Sequence, residues 1–294
     1  MHPLIRLMRP HQWVKNGFVF VGLLFGHAWR DEDAVLQALA AFVAFCLLSS
    51  AVYVMNDFVD RAQDRLHPEK RRRPLASGAV GVPAALWLAG ACLALGLGLA
   101  FGLFAPLGLP ASAAPWIFVA YLALNAGYSL GLKHVVILDV FIIAAGFMLR
   151  ILAGTLGIGI FPSHWLLLCG LMLTLFLGFA KRRAELHALR DAGGSHRPVL
   201  DEYTPALLNQ FINLAAAATV ISYSLYTVDA EVIALHGTSW LILTVPCVAY
   251  GLLRYLYRLH RAGGGGDPAR ELLTDPHLSG VFLLWLALVV WLLA

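Results

Sequence analysis

Nine apolar runs follow one another along this chain, each approaching the roughly 20 residues a helix needs to cross a bilayer. They fall at 16–29, 34–55, 84–104, 114–132, 135–156, 163–180, 205–228, 238–258 and 278–294. In hydrocarbon every backbone N–H and C=O must be satisfied within its own segment, so such runs become helices. Only 13% of the residues are charged, against about 25% in a soluble domain, and 60% are hydrophobic. The expected fold is all-α: a polytopic membrane protein with nine transmembrane helices, forming a single integral domain over 1–294. The run after Lys15 leads to Trp29-Arg30-Asp31-Glu32-Asp33 without a small-residue cleavage site, so it reads as a true span and not as a signal peptide.

The basic residues set the orientation. With nine spans, 19 of the 21 Lys and Arg residues fall on one side, the others being Arg30 and Arg150. Positive-inside logic then predicts a multi-pass protein of the cell inner (plasma) membrane, with its N-terminus cytoplasmic and its C-terminus outside. The net charge of +4 follows from this topology, so a nucleic-acid partner is not expected. Cys46, Cys92, Cys169 and Cys247 all lie in expected spans without C-x-x-C spacing and read as small apolar fillers. The long connections, 61–83, 181–204 and 259–277, are all on the cytoplasmic side, which places the chemistry there. Residues 3–14 mix apolar and basic side chains, suiting either a helix lying in the interface or a basic flank that orients the first span. Gly263 to Gly266 read as a flexible joint.

Where the second span ends, Asn56-Asp57-Phe58-Val59-Asp60-Arg61-Ala62-Gln63-Asp64 forms an N-D-x-x-D-x-x-x-D cluster. If the helix continues, Asp57, Asp60 and Asp64 lie at i, i+3 and i+7 and line one face. Such a face can hold Mg²⁺, a hard cation that takes oxygen ligands and leaves positions for phosphate. The same cluster reads equally as a solvated acidic helix end. The stretch that follows, His67-Pro68-Glu69-Lys70-Arg71-Arg72-Arg73-Pro74, adds four consecutive cations and favours the phosphate reading.

Asp139 and Arg150 lie inside the fifth span. Eleven residues separate them, roughly 16 Å along a helix axis, so they cannot pair with each other and each needs another partner. Intramembrane charges mark either a functional site or a helix–helix ion pair. Tyr128 and Lys133 mark the turn before this span, where Lys133 can meet a phosphate or simply set topology. Lys181-Arg182-Arg183-Ala184-Glu185-Leu186-His187 opens the next cytoplasmic loop; on a helix Lys181, Arg182 and Glu185 share one side while Arg183 and His187 point elsewhere. No H-x-x-x-H, G-x-x-x-x-G-K-[ST] or G-x-S-x-G pattern occurs, which disfavours nucleotide hydrolysis and serine-hydrolase chemistry.

Taken in order, these residues resemble the UbiA-type membrane prenyltransferase superfamily, and within it the decaprenyl-phosphate phosphoribosyltransferase branch. The stretches that carry the resemblance are Arg9-Pro10-His11-Gln12-Trp13-Val14-Lys15-Asn16, Ser50-Ala51-Val52-Tyr53 leading into Asn56-Asp57, and His67-Pro68-Glu69-Lys70 with Arg73-Pro74. They continue with Tyr128, Gly131-Leu132-Lys133-His134, Arg150 with Ala153-Gly154, Lys181-Arg182 with Ala184-Glu185-Leu186-His187, and Tyr203-Thr204. The superfamily's aromatic prenyltransferases carry a second D-x-x-x-D motif, whereas here Asp139 is followed four residues later by Ile143. That departure points away from a prenyl diphosphate held between two acidic motifs.

The resemblance implies a nine-helix UbiA-type fold and Mg²⁺-dependent transfer of 5-phosphoribose from phosphoribosyl pyrophosphate to a polyprenyl phosphate. Pyrophosphate would be released, and the product would feed a lipid-linked pentose (arabinose) donor for the cell envelope. It further implies that Asn56, Asp57, Asp60 and Asp64 hold Mg²⁺, and that Lys70, Arg73 and Lys133 neutralise phosphates. Lys181 and Arg182 would hold the 5-phosphate or the lipid phosphate, with Lys15, Tyr128, Asp139, Arg150 and Glu185 completing the substrate site. A homo-oligomer is compatible with it. The competing readings are a prenyl diphosphate donor alkylating an aromatic acceptor and, in another class, a lipid-phosphate transporter.

Overall fold

A computed structural model describes residues 2–66, 70–104, 114–192, 198–261 and 268–293. The expected glycine joint at 263–266, the short outer connection at 105–113 and the stretch 67–69 of the basic loop lie outside the described residues. All described regular structure is helical, and the chain divides into two compact units, 1–129 with 149–161, and 130–148 with 162–294.

The first unit holds α1 (Pro3–Met8), a 3₁₀ helix over Pro10–Phe20, α2 (Val21–Phe25), α3 (Glu32–Val59), α4 (Arg61–Leu66), a 3₁₀ turn at Lys70–Arg72, α5 (Val82–Phe104) and α6 (Ala114–Leu130). The end of α7 (Leu138–Ala153) and a turn at Leu156–Ile158 complete it. The second unit holds the Leu132–His134 turn, the start of α7, α8 (His164–Ala192), a turn at Pro198–Leu200 and α9 (Pro205–Val228). After these come α10 (Ala230–His236), a 3₁₀ stretch Trp240–Thr244, α11 (Val245–Arg261), α12 (Pro268–Thr274) and α13 (Pro276–Leu293).

Among the described residues, seven helical stretches are long and apolar enough to cross a membrane: Glu32–Val59, Val82–Gly102, Leu138–Ile158, His164–His187, Pro205–Val228, Trp240–Arg261 and Pro276–Leu293. They coincide with seven of the nine expected spans, and the chain is a multi-pass membrane protein. The other two expected spans are helical but differ in kind. At 114–132 the helix α6 has 17 residues. At 16–29 the chain finishes an 11-residue 3₁₀ helix and continues into α2; at about 2.0 Å per residue a 3₁₀ helix covers more distance than an α-helix of equal length.

Residues 3–14 do not form one interfacial helix. Pro10 bars its predecessor from the right-handed helical conformation, and Arg9 takes a left-handed one (φ 56°) that ends α1. Leu7 is fully buried with Val54, Leu75, Val80, Ala85 and Ala89. The segment is fastened to α3 where Ser50 donates to the Met8 carbonyl (3.0 Å) and the Trp13 indole donates to Ser50 (3.1 Å).

Helix α3 forms because an apolar run is capped by Asp31, whose carboxylate accepts from the amides of Asp33 and Ala34, with Glu32 and Asp33 complementing the helix dipole. Its buried stripe of Ala34, Ala38, Ala41 and Ala44 lets neighbouring backbones approach closely, the usual solution in a membrane, where apolar burial between helices gives little driving force. Two close approaches occur at glycines of this unit: an added Cβ would lie 1.7 Å from the Val19 carbonyl oxygen at Gly154 and 1.6 Å from the Gly154 carbonyl oxygen at Gly22. Gly154→Ala is therefore expected to destabilise the protein by about 3 kcal/mol, read as a lowered thermal transition in detergent. An unchanged transition would mean that this backbone contact is looser than described.

The core of the second unit is built on Val140, Phe176, Phe179, Leu208, Ile212 and Tyr255. Gly178 admits Val140: an added Cβ there would lie 2.6 Å from a Val140 methyl. In the same unit, Asp275 caps α13 by accepting from the amides of His277 and Leu278, and it takes two bonds from Arg254 (3.2 and 2.8 Å). The Arg254 hydrogen bonds hold its carboxyl down to about 2, so the tie between α11 and α13 stays charged across the physiological range.

Candidate active site

Helix α3 ends at Val59, Asp60 is its C-cap (φ −82°, ψ 0°), and α4 begins at Arg61. The helix therefore does not run unbroken through the acidic motif, as the i, i+3, i+7 reading supposed. Asp57 and Asp64 nevertheless converge, because the loop after α4 folds back and delivers a cation between them. Arg61 and Arg65 donate to the carbonyls of Leu75 and Ala76 (both 3.2 Å), and Leu75 is fully buried. That fold-back places Arg73 Nη1 at 3.1 Å from Asp57 Oδ1 and 2.7 Å from Asp64 Oδ2. Both carboxylates are 3% exposed, and Arg73 joins them from the four-cation run, whose Arg71 and Arg72 are exposed.

Asp57 also pairs with Arg9, whose guanidinium lies over the Tyr53 ring, 5.1 Å from its centroid. Asn56 accepts at Oδ1 from the Ser129 hydroxyl (2.8 Å), which fixes that amide. Among the described residues no three acidic, His or Cys side chains are gathered as a metal centre. The donor chemistry still suits a hard divalent cation: two buried carboxylates already share a positive charge, and small cations of this kind are typically held by one or two carboxylates plus the phosphates of a substrate. Lys15 and Tyr128 belong to the same unit and are half-buried.

Arg150 belongs to the same unit and is 6% exposed. Its Nε donates to Asn16 Oδ1 (2.7 Å) and its Nη2 to the Tyr121 hydroxyl (3.2 Å), with the guanidinium 5.1 Å and 4.8 Å from the Phe45 and Tyr121 ring centroids. Aromatic faces and neutral oxygens thus solvate a charge that hydrocarbon would not.

The second unit has its own polar cluster. Asp139 is fully buried and Arg182 is 1% exposed, joined by a 2.6 Å bond from Arg182 Nε. Arg182 Nη1 reaches Glu185 (2.6 Å), whose other oxygen is 3.9 Å from the Lys181 ammonium. Arg183 turns away to Asn209 (3.2 Å), as its helical position predicted. The Tyr203 hydroxyl donates to Asp139 Oδ1 (2.9 Å) and accepts from the Ile137 amide (2.6 Å). Burial pushes the Tyr203 hydroxyl well above the usual phenol range, so it keeps its proton for Asp139. Lys133 sits half-buried on the Leu132–His134 turn.

Sequence reasoning gave no role to Arg9, Asn16, Ser129 or Tyr203. Arg9, Asn16 and Tyr203 stood in stretches that carried the family resemblance, but nothing in their local pattern said which carboxylate, guanidinium or amide they would meet.

Decaprenyl-phosphate phosphoribosyltransferase of Corynebacterium glutamicum is 35% identical to this chain over 289 residues, covering 98% of the chain and 85% of the relative. The protein of the same name from Mycolicibacterium smegmatis is 33% identical, covering 97% of the chain and 91% of the relative. The fold matches that of a UbiA homologue from Archaeoglobus fulgidus, solved bound to GPP and Mg²⁺, with a TM-score of 0.72 at 20% identity over 99% of both chains. The UbiA prenyltransferase family model matches residues 17–272, and the chain belongs to that family.

Proposed function

We propose that this protein transfers 5-phosphoribose from phosphoribosyl pyrophosphate to a polyprenyl phosphate in the plasma membrane, releasing pyrophosphate, with its N-terminus and reacting groups on the cytoplasmic side. The observation that carries the reading is the pair of buried carboxylates, Asp57 and Asp64, sharing one guanidinium. Relatives named for this activity at 33–35% identity support it, as does Ile143 where a second acidic motif would need a carboxylate.

In the transfer, a lipid phosphate oxygen bonds to ribose C1 as the bond from C1 to the pyrophosphate oxygen breaks. The lipid phosphate is already an anion at neutral pH, so no strong general base is needed. Mg²⁺, held by Asp57, Asp60 and Asp64 with Asn56, would stabilise the charge that develops on the departing pyrophosphate. Arg73, and Arg9 beside it, then turn from the carboxylates to the pyrophosphate oxygens. Lys70 and Lys133 neutralise phosphate charge, and Lys181, with a side chain 41% exposed, is accessible to the 5-phosphate or the lipid phosphate. Arg182 is committed to Asp139 and Glu185, so its contribution is to fix that surface. Positioning and electrostatics supply most of the barrier lowering.

The test uses purified protein in detergent with polyprenyl phosphate, labelled phosphoribosyl pyrophosphate and Mg²⁺. Labelled lipid and pyrophosphate are expected in equal amounts, and both are lost on adding chelator. No labelled lipid from folded protein, or turnover of a prenyl diphosphate with an aromatic acceptor in its place, would overturn the reading.

A further inference from the structure

Ile137 is a β-branched residue in the left-handed region (φ 69°), a conformation that ordinarily falls to glycine or asparagine. It lies between the Leu132–His134 turn, which carries Lys133, and the first residue of α7. Such a conformation persists only where its surroundings hold it. Here the holder is a side chain 66 residues away: the Tyr203 hydroxyl accepts from the Ile137 amide at 2.6 Å and donates to Asp139, two residues further on, at 2.9 Å. One phenol oxygen thus fixes two points of the segment that leads from Lys133 into α7.

Tyr203 is itself well anchored. It is 3% exposed, its amide donates to the Leu200 carbonyl (3.2 Å), and Thr204 caps α9 immediately after it. The Pro198–Leu200 turn that leads to it packs on the Leu132–His134 turn. Arg182 occupies Asp139 Oδ2 and leaves Oδ1 to accept from Tyr203.

We propose that Tyr203 is a positioning residue: with Asp139 and Arg182 behind it, its hydroxyl holds Ile137 in the left-handed conformation and so sets where Lys133 presents its ammonium. Lys133 has a phosphate to meet only under the phosphoribosyl-transfer reading, on which this inference rests. Asp139 and Arg182 then act through Tyr203 rather than by touching substrate.

The test is a cycle of Tyr203→Phe, Ile137→Gly and the double variant, read by steady-state kinetics and by amide hydrogen exchange over residues 131–139. Tyr203→Phe keeps the ring and removes the hydroxyl. It is expected to raise KM for phosphoribosyl pyrophosphate about tenfold with kcat within about threefold, and to speed exchange in this segment about tenfold. Glycine adopts the left-handed conformation freely, so Ile137→Gly in the Tyr203→Phe background is expected to return both readouts to within about threefold of Ile137→Gly alone. A hydroxyl that touched substrate directly would leave the kinetic loss undiminished in the glycine background, and that result overturns the proposal. Unchanged exchange in Tyr203→Phe overturns it as well. Should the wild-type protein transfer no phosphoribose, the functional reading fails, while the exchange cycle still decides whether Tyr203 holds the turn.

Discussion

Asp57→Ala is expected to lower kcat by about 10³-fold while the protein still folds. A carboxylate that binds a cation at the leaving pyrophosphate acts where charge develops, and removing one such group typically costs 10²- to 10³-fold, about 3–4 kcal/mol of barrier. Asp57 stands at the upper end because it is buried and meets two guanidiniums, Arg9 and Arg73. On the proposed reading its loss removes a metal ligand, so Mg²⁺ affinity should fall with the rate; it also takes the carboxylate from Arg9 and leaves Arg73 with Asp64. Asp57→Asn separates these effects: it keeps the volume and a hydrogen-bond acceptor for Arg9 but removes the charge. Its thermal transition should stay near that of the wild type, while its Mg²⁺ requirement rises and its rate stays close to that of the alanine variant. Activity within tenfold of wild type in either variant would remove Asp57 from the metal site. The folding penalty should be small, because Arg9 and Arg73 are 25% and 30% exposed and water can take over their solvation.

The largest stability effect is expected in the second unit, at Asp139. Asp139→Ala leaves the Arg182 guanidinium, 1% exposed, without its buried counterion, and breaking such a pair costs about 3–5 kcal/mol. The corresponding fall in the detergent melting midpoint is on the order of 10 °C. Glu185 stays within 2.6 Å of Arg182 but is 31% exposed, so it offsets only part of the loss. Replacing both partners with apolar residues, Asp139→Leu with Arg182→Met, removes the stranded charge and should recover more than half of the midpoint, leaving chiefly the bond from Tyr203 unmade. A single substitution that melts within 2 °C of wild type would show that Arg182 finds another buried partner, contrary to this account. Asp57 and Asp139 thus make opposite demands on an assay. The first should change rate far more than stability, and the second should change stability at least as much as rate.

Much of this could be read along the chain. Seven of the expected spans coincide with membrane-length helices, and Arg183 turns away from Arg182 and Glu185 as helical spacing requires. The 3₁₀ conformation of Pro10–Phe20 was not legible, since hydropathy is blind to helix type. The break at Asp60 was not legible either, because spacing of i, i+3 and i+7 supposes a continuous helix and carries no signal for where one stops. Asp139 and Arg150 were recognisable as charges in need of partners. Their partners were not recognisable: Asp139 meets Arg182 and Tyr203, and Arg150 meets Asn16 and Tyr121, each from a distant stretch of chain.

By itself the sequence determined that this is an all-helical, multi-pass membrane protein with an acidic motif at the end of one span. Hydrocarbon imposes that result locally, since each apolar segment must satisfy its own backbone whatever the rest of the chain does. Only the tertiary structure decided which charges meet. Arg9 finds Asp57 across 48 residues, Arg182 finds Asp139 across 43, and Tyr203 holds a strained Ile137 across 66. An ion pair or hydrogen bond is decided at about 3 Å, a distance that helix packing and loop folding set and that residue order alone does not specify.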